Sequence, residues 1–381
     1  MSTDISSSYS VIKPLYGIRG IAALWVIAFH YSLYLNVSAG LNLGFMEPII
    51  HRGYFGVEPF FILSGLILAH RYYKQFSTIN FRDYCNFLKN RIARIYPAYI
   101  FGLFIVFLFF MCGSLTKFVI GFGDYGYKYL FLNAVMMQAW SFLGFTKWSW
   151  NFPGWSVSVE WFLYITSPLL FYVSGRVDKK YLMLILFLSA SSVLGYFTVT
   201  DPNFFNLHGE KYGLIRGASE FIIGYVFFTL IKNQKQSFLY DFLSVLSVIL
   251  LILFLFLRVN GVFILIPLFA LVPLVTLSKG FVTNFLNLKP LAYLGEMSYS
   301  LYIMQFPFQL MSNNLFSQKI LWLNSYQTFA LYLSQIISLI IIASMSYFFI
   351  EKPFRKKLRK IVIKDQLNKT EEQSCSITGY S

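Results

Sequence analysis

Charged residues are scarce in this chain of 381 residues. Only 12% of the residues are charged, whereas 57% are hydrophobic and 20% are aromatic. A typical soluble domain carries about twice that share of charge, so the composition excludes an ordinary soluble globular protein. Apolar runs that approach the roughly 20 residues needed for a helix to cross a bilayer recur along nearly the whole chain. The sequence therefore predicts a multi-pass helical membrane protein.

Cysteines and the motifs of soluble enzymes are scarce or missing as well. Cys85, Cys112 and Cys375 are scattered without metal-type spacing, which argues against a zinc site or a disulfide framework. The sequence has no Walker A loop, no H-E-x-x-H and no G-x-S-x-G motif, so ATP-driven transport, zinc proteolysis and a hydrolase elbow have no direct support. We expect no metal and no permanently bound cofactor.

Acidic residues are fewer than basic ones, at 16 against 31, and the formal net charge is +15. The basic residues lie between apolar runs rather than along one helix face, so this charge reflects membrane topology and predicts no nucleic-acid partner. With the N-terminus inside, ten crossings collect most Lys and Arg residues on one side, as the positive-inside rule requires. We therefore expect both termini to be cytoplasmic.

The apolar runs predict an all-α bundle of about ten transmembrane helices within residues 1–360. A shorter, interrupted run at 130–145 predicts a re-entrant or interfacial helix. The polar segment 361–381 predicts a disordered cytoplasmic tail. The predicted spans cover residues 16–36, 53–70, 97–112, 157–174, 181–198, 213–231, 239–257, 261–277, 297–315 and 328–350.

Arg19 and His30 both lie in the first apolar run, eleven residues apart. Eleven steps of about 100° return to nearly the same direction, so the two side chains share one helix face about 16 Å apart. Ionisable groups inside a membrane usually mark a functional path. We expect an anionic donor to bind at Arg19 and a proton to move at His30.

Two carboxylates, Glu58 and Glu160, are predicted at a depth similar to that of His30. Counted from the ends of their spans, both lie roughly 8 Å below the outer surface, and His30 lies about 10 Å below it. A carboxylate beside His30 would orient the imidazole as a general base. The alternative is that both carboxylates satisfy backbone groups near the interface.

Arg91 and Arg94 lie three residues apart in Lys89-Asn-Arg-Ile-Ala-Arg, which places them on one helix face. Arginine pairs suit phosphate groups, although a basic patch facing anionic lipid is the alternative. A further set of polar and aromatic residues is predicted to line a substrate cavity, although small polar residues in spans also act as packing contacts, as Ser64 would beside Gly65. This set is Ser64, Trp155, Ser156, Tyr299, Ser300, Tyr302 and Gln305.

Six segments in this order resemble motifs of the membrane acyltransferase 3 family, whose members include bacterial O-acetyltransferases of surface glycans. They are Gly17-Ile-Arg-Gly-Ile-Ala-Ala-Leu through His30, Gly53-Tyr-Phe-Gly-Val-Glu-Pro-Phe-Phe-Ile-Leu-Ser-Gly65, Asn90-Arg-Ile-Ala-Arg-Ile-Tyr-Pro97, Trp155-Ser-Val-Ser-Val-Glu-Trp-Phe-Leu-Tyr164, Leu294-Gly-Glu-Met-Ser-Tyr-Ser-Leu-Tyr302 and Ile350-Glu-Lys-Pro-Phe-Arg355.

The resemblance implies a ten-span acyltransferase domain in the bacterial cytoplasmic (inner) membrane. It implies acyl-CoA, commonly acetyl-CoA, as the cytoplasmic co-substrate, and a hydroxyl of a glycan or lipid-linked glycan such as O-antigen, capsule or exopolysaccharide as the acceptor. It also implies that His30 and Arg19 are essential, that Arg91 and Arg94 lie near the donor and that Glu160 lies in the catalytic region.

The sequence departs from the family pattern at two positions. Tyr16 stands where the family often has Asp, and Gln305 stands where it commonly has His. Without that second histidine, a mechanism that needs two histidines is not favoured. The alternative function is a transporter or flippase of an envelope lipid or glycan, in which the buried charges form a proton relay. A transporter would show internal repeats or paired broken helices, and neither is evident in the sequence.

Overall fold

The described part of the chain consists of helices joined by turns and short connections. The computed structural model describes residues 2–116, 123–144, 147–176, 179–201, 204–205, 209–316 and 322–358. The tail predicted to be disordered, 361–381, lies outside these residues. Within them, β-structure is limited to one isolated bridge, between Ser237 and Ser278.

The long helices follow the predicted apolar runs. They are α1 (Ser2–Ala39), α3 (Glu58–Tyr72), α4 (Phe81–Thr116), α6 (Gly154–Ser174), α7 (Lys179–Thr200), α8 (Gly209–Ile231), α9 (Phe238–Phe256), α10 (Gly261–Leu277), α13 (Ser298–Phe316) and α14 (Ser325–Ser346). The short helices between them are α2 (Glu47–Ile50), α5 (Tyr127–Ala134), α11 (Phe281–Leu286) and α12 (Lys289–Glu296).

Eight helical segments in the described ranges are long and apolar enough to span a membrane. Two other predicted spans correspond to α10, which has 17 residues, and to α13, which has 19. Most of α13 is buried inside the protein. Few of its side chains face lipid, so the helix can contain more polar residues than an exposed span. The prediction of an all-α membrane protein is confirmed.

Two predicted boundaries differ from the structure. The apolar pattern predicts that the third span begins at residue 97, but α4 begins at Phe81 and continues through Pro97. The earlier turns of α4 are held by buried side chains such as Phe87 and Ile95, so tertiary packing extends the helix beyond the apolar run. The run at 130–145 forms α5 and one 3₁₀ turn, Ser141–Leu143, and does not cross the bundle as one helix.

Helix α1 lies at the centre of the bundle and contacts α3, α10, α11, α12, α13 and α14. It is therefore surrounded by protein along much of its length. Ala23, Val26 and Ile27 are completely buried. Val26 belongs to one hydrophobic cluster of the core, and Ala23 and Ile27 belong to another, so α1 contributes to both. Because α1 carries both Arg19 and His30, this central position brings both polar groups into the protein interior rather than into lipid.

Helices α3 and α8 make a very close backbone contact near the site. A Cβ atom added to Gly65 would lie 2.1 Å from the Phe221 carbonyl oxygen, and one added to Gly224 would lie 2.0 Å from the Ile62 carbonyl oxygen. Small residues let helix backbones approach in this way and drive helix association in membranes. Gly65 thus provides the close approach that the sequence predicts beside Ser64.

We expect the substitution Gly224→Ala to destabilise the protein by about 1–3 kcal/mol, because the backbones of α3 and α8 must separate to accept the methyl group. The measurement is the midpoint of thermal unfolding in detergent micelles. The control is Gly195→Ala, because no atom lies within 4 Å of the Cβ it would add. Equal midpoints for the two variants would contradict the close packing of α3 on α8.

Candidate functional site

A cavity of about 590 Å³ opens between α1, α3, α4, α6 and α13. Its lining is strongly basic. The basic side chains that line it, histidine aside, are Lys13, Arg19, Arg71, Arg91, Arg94 and Arg355. Five further predicted residues also line it, namely Ser64, Ser156, Glu160, Tyr299 and Tyr302. The structure therefore brings together the predicted donor-binding arginines and one of the two predicted carboxylates.

The three predicted donor-binding arginines differ in how they are held. Arg91 donates a hydrogen bond to the Tyr72 hydroxyl at 3.0 Å, and its guanidinium lies 5.3 Å from the centre of that ring. Among the described residues, no carboxylate oxygen lies within 4.0 Å of the Arg19 or Arg94 guanidinium. The Nε of Arg19 is buried and has no hydrogen-bond partner in the same part of the chain. Arg19 and Arg94 thus keep donors available for an anion.

Glu160 lies in the cavity beside these arginines. The Ser64 hydroxyl donates to its Oε1 at 3.3 Å, and the Tyr164 hydroxyl, one helical turn later on α6, donates to the same oxygen. The carboxylate also interacts electrostatically with Arg19 and Arg94. The Glu160 carboxylate is therefore fixed by hydrogen bonds and balances part of the positive charge of the cavity.

His30 lies elsewhere, and this corrects the prediction that a carboxylate orients it. Its ring centre is 5.1 Å from that of Phe29 and 6.0 Å from that of Phe152. Its ring nitrogens have no hydrogen-bond partner, and no carboxylate oxygen lies within 4.0 Å of them, within the part of the chain that the structure describes. The side chain is partly exposed, and it is absent from the lining of the basic cavity.

Counting residues from span ends placed Glu160 level with Glu58, but helix α6 begins among buried residues. Trp150 and Asn151, which precede α6, are each only 1% exposed, so α6 starts inside the bundle. Glu160 faces Ser64, which follows Glu58 along α3 by a helical rise of about 9 Å. Glu160 is consequently deeper than its distance from Trp155 suggests. Equal distance from a helix end does not mean equal depth.

Glu58 forms a buried ion pair that the sequence patterns do not predict. Its carboxylate accepts from the Arg216 guanidinium of α8, and both side chains are at most 1% exposed. Arg216 also donates to the carbonyl oxygens of Phe204 and Phe205, at 3.3 and 3.2 Å. The predicted role of Glu58 beside His30 is therefore wrong, because the charge of Glu58 is used between α3 and α8.

The position of Trp155, which the sequence predicts in the cavity lining, is explained by its contact with Arg216. The guanidinium lies 5.1 Å from the centre of the indole ring, so Trp155 covers the ion pair and does not line the cavity. Glu220, one turn after Arg216, is completely buried beside Glu58. The signal that could have revealed both residues is two charged residues four apart inside an apolar run.

Ser300 and Gln305 do not line the cavity either. The Ser300 hydroxyl donates to Glu351 Oε2 at 2.7 Å, and both residues are completely buried. The Glu351 carboxylate in turn lies 3.8 Å from Arg355, at the rim of the cavity. Gln305 is 1% exposed, and its backbone carbonyl accepts from the Tyr31 hydroxyl at 3.1 Å. Neither side chain is therefore among those that line the cavity, although both belong to a helix that contributes to its wall.

No cluster of three or more His, Cys, Asp or Glu side chains suited to a metal ion occurs in the described ranges.

We expect Arg216→Met to destabilise the protein by about 3–5 kcal/mol, because it leaves Glu58 as an uncompensated buried charge. Unfolding in detergent with increasing denaturant measures this loss. The double variant Glu58→Gln/Arg216→Met should recover part of the stability, since the unpaired charge at Glu58 is then removed as well. Arg176→Met, at an exposed arginine, is the control. A single variant no less stable than this control would show that the ion pair is not structural.

Comparison with known proteins places the chain in a family. The family model described as "Acyltransferase domain" matches residues 15–348. The O-acetyltransferase OatA of Staphylococcus aureus is 23% identical over 91% of this chain and 57% of its own length. Protein 2 in the picA locus of Rhizobium radiobacter is 35% identical over 25% of this chain and 44% of its own length.

A putative acetyltransferase, ORF330 of Acidianus two-tailed virus, is 27% identical over 49% of this chain and 48% of its own length. The chain thus spans about half the length of the curated relatives it matches. No solved structure matches it significantly. Because the family model covers most of the sequence, the chain belongs to the acyltransferase 3 family of membrane proteins, and the resemblance predicted from its motifs is confirmed.

Proposed function

We propose that this protein is an integral-membrane O-acyltransferase that moves an acetyl group from acetyl-CoA to a hydroxyl of a cell-envelope glycan. Family membership supports acyl transfer, and relatives named O-acetyltransferase and putative acetyltransferase support the acetyl group. The observation that carries the proposal is the pair of guanidinium groups, Arg19 and Arg94, that line the cavity with no carboxylate oxygen within 4.0 Å among the described residues.

The basic cavity suits the phosphates and the arm of acetyl-CoA. Its volume of about 590 Å³ falls within the usual range for small-molecule sites. Guanidinium groups bind phosphate oxygens through two parallel hydrogen bonds, and Lys13 and Arg71 add positive charge to the lining. In this proposal the nucleotide remains at the basic mouth while the pantetheine arm carries the thioester inward.

The basic mouth supports one orientation in the membrane. By the positive-inside rule, this end of the bundle faces the cytoplasm, where acetyl-CoA is made, and both termini lie on the same side. The proposed location is therefore the inner membrane of a bacterium. The acceptor, a glycan or lipid-linked glycan, approaches from the opposite side.

His30 is the proposed general base for the acceptor hydroxyl. It lies about 16 Å along α1 from Arg19, a distance that an extended pantetheine arm can bridge. Its ring nitrogens have no protein partner among the described residues, so one of them is free to accept a proton from the acceptor. The hydroxyl oxygen then bonds to the thioester carbon, the carbon–sulfur bond breaks, and the departing thiolate receives the proton.

We expect Arg94→Ala to raise the KM for acetyl-CoA by about 10-fold to 100-fold, the cost of one charged hydrogen bond, with a smaller effect on kcat. The measurement is transfer of labelled acetyl from acetyl-CoA to envelope glycan in purified membranes. Lys235→Ala removes an exposed positive charge outside the cavity and serves as the control. An unchanged KM in the Arg94 variant would remove this residue from the donor site.

We expect His30→Ala to lower kcat by about 100-fold to 10,000-fold, since general-base catalysis contributes that much, while acetyl-CoA still binds. Acetyl transfer and the equilibrium binding of labelled acetyl-CoA are measured on the same folded preparation. Transfer at the unaltered rate would refute the role of His30 as a base. Normal transfer combined with a loss of glycan export would instead favour a transporter.

A further inference from the structure

The side-chain amide of Gln305 has no partner within the described ranges, although it is deep inside the protein. The residue is 1% exposed, and neither Nε2 nor Oε1 has a hydrogen-bond partner among the described residues. Buried amides are nearly always hydrogen-bonded, because burying an unpaired polar group is unfavourable. A polar group kept in this state points to a ligand that supplies the missing partner.

Two hydrogen bonds join α1 to α13 around His30 and Gln305. Gln309 donates through its Nε2 to the backbone carbonyl of His30 at 3.0 Å, and the Tyr31 hydroxyl donates to the Gln305 carbonyl at 3.1 Å. Gln305 and Gln309 are four residues apart, so they lie on one face of α13. Since Gln309 reaches α1 at His30, Gln305 leaves α13 toward the same stretch of α1, one turn nearer to the cavity.

The segment before α6 also contacts both His30 and α13. The His30 ring is 6.0 Å from that of Phe152, and the neighbouring Asn151 donates to the Ile303 carbonyl of α13 at 3.4 Å. The Oδ1 of Asn151 is also buried without a hydrogen-bond partner in the described part of the chain. The segment that carries Phe152 beside the His30 ring is thus joined to α13 two residues before Gln305.

Along the axis of α13, Gln305 lies between the level of the cavity and the level of His30. Tyr302, three residues earlier on α13, lines the cavity, and three residues of helix rise about 4.5 Å. Gln309, one turn later, is level with His30. A thioester that enters from the cavity and reaches the acceptor hydroxyl at His30 must therefore pass the level of Gln305.

We propose that Gln305 is a catalytic residue whose Nε2–H donates a hydrogen bond to the carbonyl oxygen of the acyl donor. This inference rests on the proposed function and adds the group that stabilises negative charge during the transfer. When the acceptor oxygen bonds to the carbonyl carbon, His30 takes the hydroxyl proton and the carbonyl oxygen becomes an anion. Gln305 stabilises that anion until the carbon–sulfur bond breaks and the thiolate takes the proton from His30.

Kinetics of Gln305→Leu test the proposal. Loss of one donor to such an anion lowers kcat by about 100-fold to 1,000-fold, and we expect that loss with an unchanged KM for acetyl-CoA. Gln335→Leu is the matched control, because Gln335 is also a buried glutamine but donates to the Ser312 hydroxyl at 3.1 Å, three residues beyond Gln309 on α13. A kcat lowered no more in Gln305→Leu than in the control would overturn the proposal. If Gln305→Leu does not fold, Gln305→Met supplies an apolar side chain of similar length.

A spectroscopic measurement separates a contact with substrate from a structural effect. The carbonyl stretch of bound acetyl-CoA, labelled with ¹³C at the carbonyl, is recorded by difference infrared spectroscopy in the His30→Ala background, where transfer is slow. We expect a lower frequency than in free acetyl-CoA and a return toward the free value when Gln305 is also replaced. The same frequency in both backgrounds would overturn the role of Gln305 alone. Failure of acetyl-CoA to bind the unaltered protein would overturn the proposed function itself.

Discussion

The buried ion pair between Glu58 and Arg216 is the interaction on which the site geometry depends. Two charges in a membrane interior are costly unless they are paired and hydrogen-bonded, and Arg216 meets this condition through Glu58 and two backbone carbonyls. The pair fixes the start of α3 against α8, while Trp155 on the guanidinium fixes α6 against both. Ser64 lies further along α3 and Glu160 further along α6, so the hydrogen bond between them depends on how the ion pair and Trp155 align these helices.

The presence or absence of an ion pair or hydrogen bond to protein distinguishes the structural polar groups from those that remain available for chemistry. Glu58 and Arg91 have protein partners that use their charges or donors. No carboxylate oxygen lies within 4.0 Å of the Arg19 or Arg94 guanidinium among the described residues, and there the ring of His30 has no hydrogen-bond partner. Unpaired polar groups are costly in a bundle, so such groups are candidates for hydrogen bonds to a ligand. Depth and residue type alone do not make this distinction.

The fold was largely predictable because each span depends on local composition. A run of apolar residues becomes a helix in a membrane whatever surrounds it, since its backbone groups must be paired internally. The grouping of Arg19, Arg91 and Arg94 was also predictable, because the family motifs that carry these residues imply a shared donor site. The partner of Glu58 was not, since Arg216 is 158 residues away and only the packing of α3 on α8 brings the two together.

The depth of Glu160 was not predictable, for a related physical reason. Counting from span ends treats every span as a rod that starts at the surface, whereas the buried segment around Trp150 and Asn151 shows that α6 starts inside the bundle. Irregular backbone inside a membrane bundle is tolerated only where protein surrounds it, and the local sequence does not report how deep such a segment lies. A tertiary contact, such as that of Ser64 with Glu160, is needed to set the level.

Under the proposed function, a glutamine at position 305 assigns the two chemical tasks to different residues. An amide keeps its N–H at any physiological pH and cannot carry a proton away, so it suits stabilisation of an oxyanion but not general-base catalysis. The imidazole of His30 then has to accept the hydroxyl proton and return it to the thiolate within one turnover. Both steps take place at one end of the pantetheine arm, while Arg19 and Arg94 hold its other end. The length of α1 between Arg19 and His30 therefore sets the distance that the donor must span.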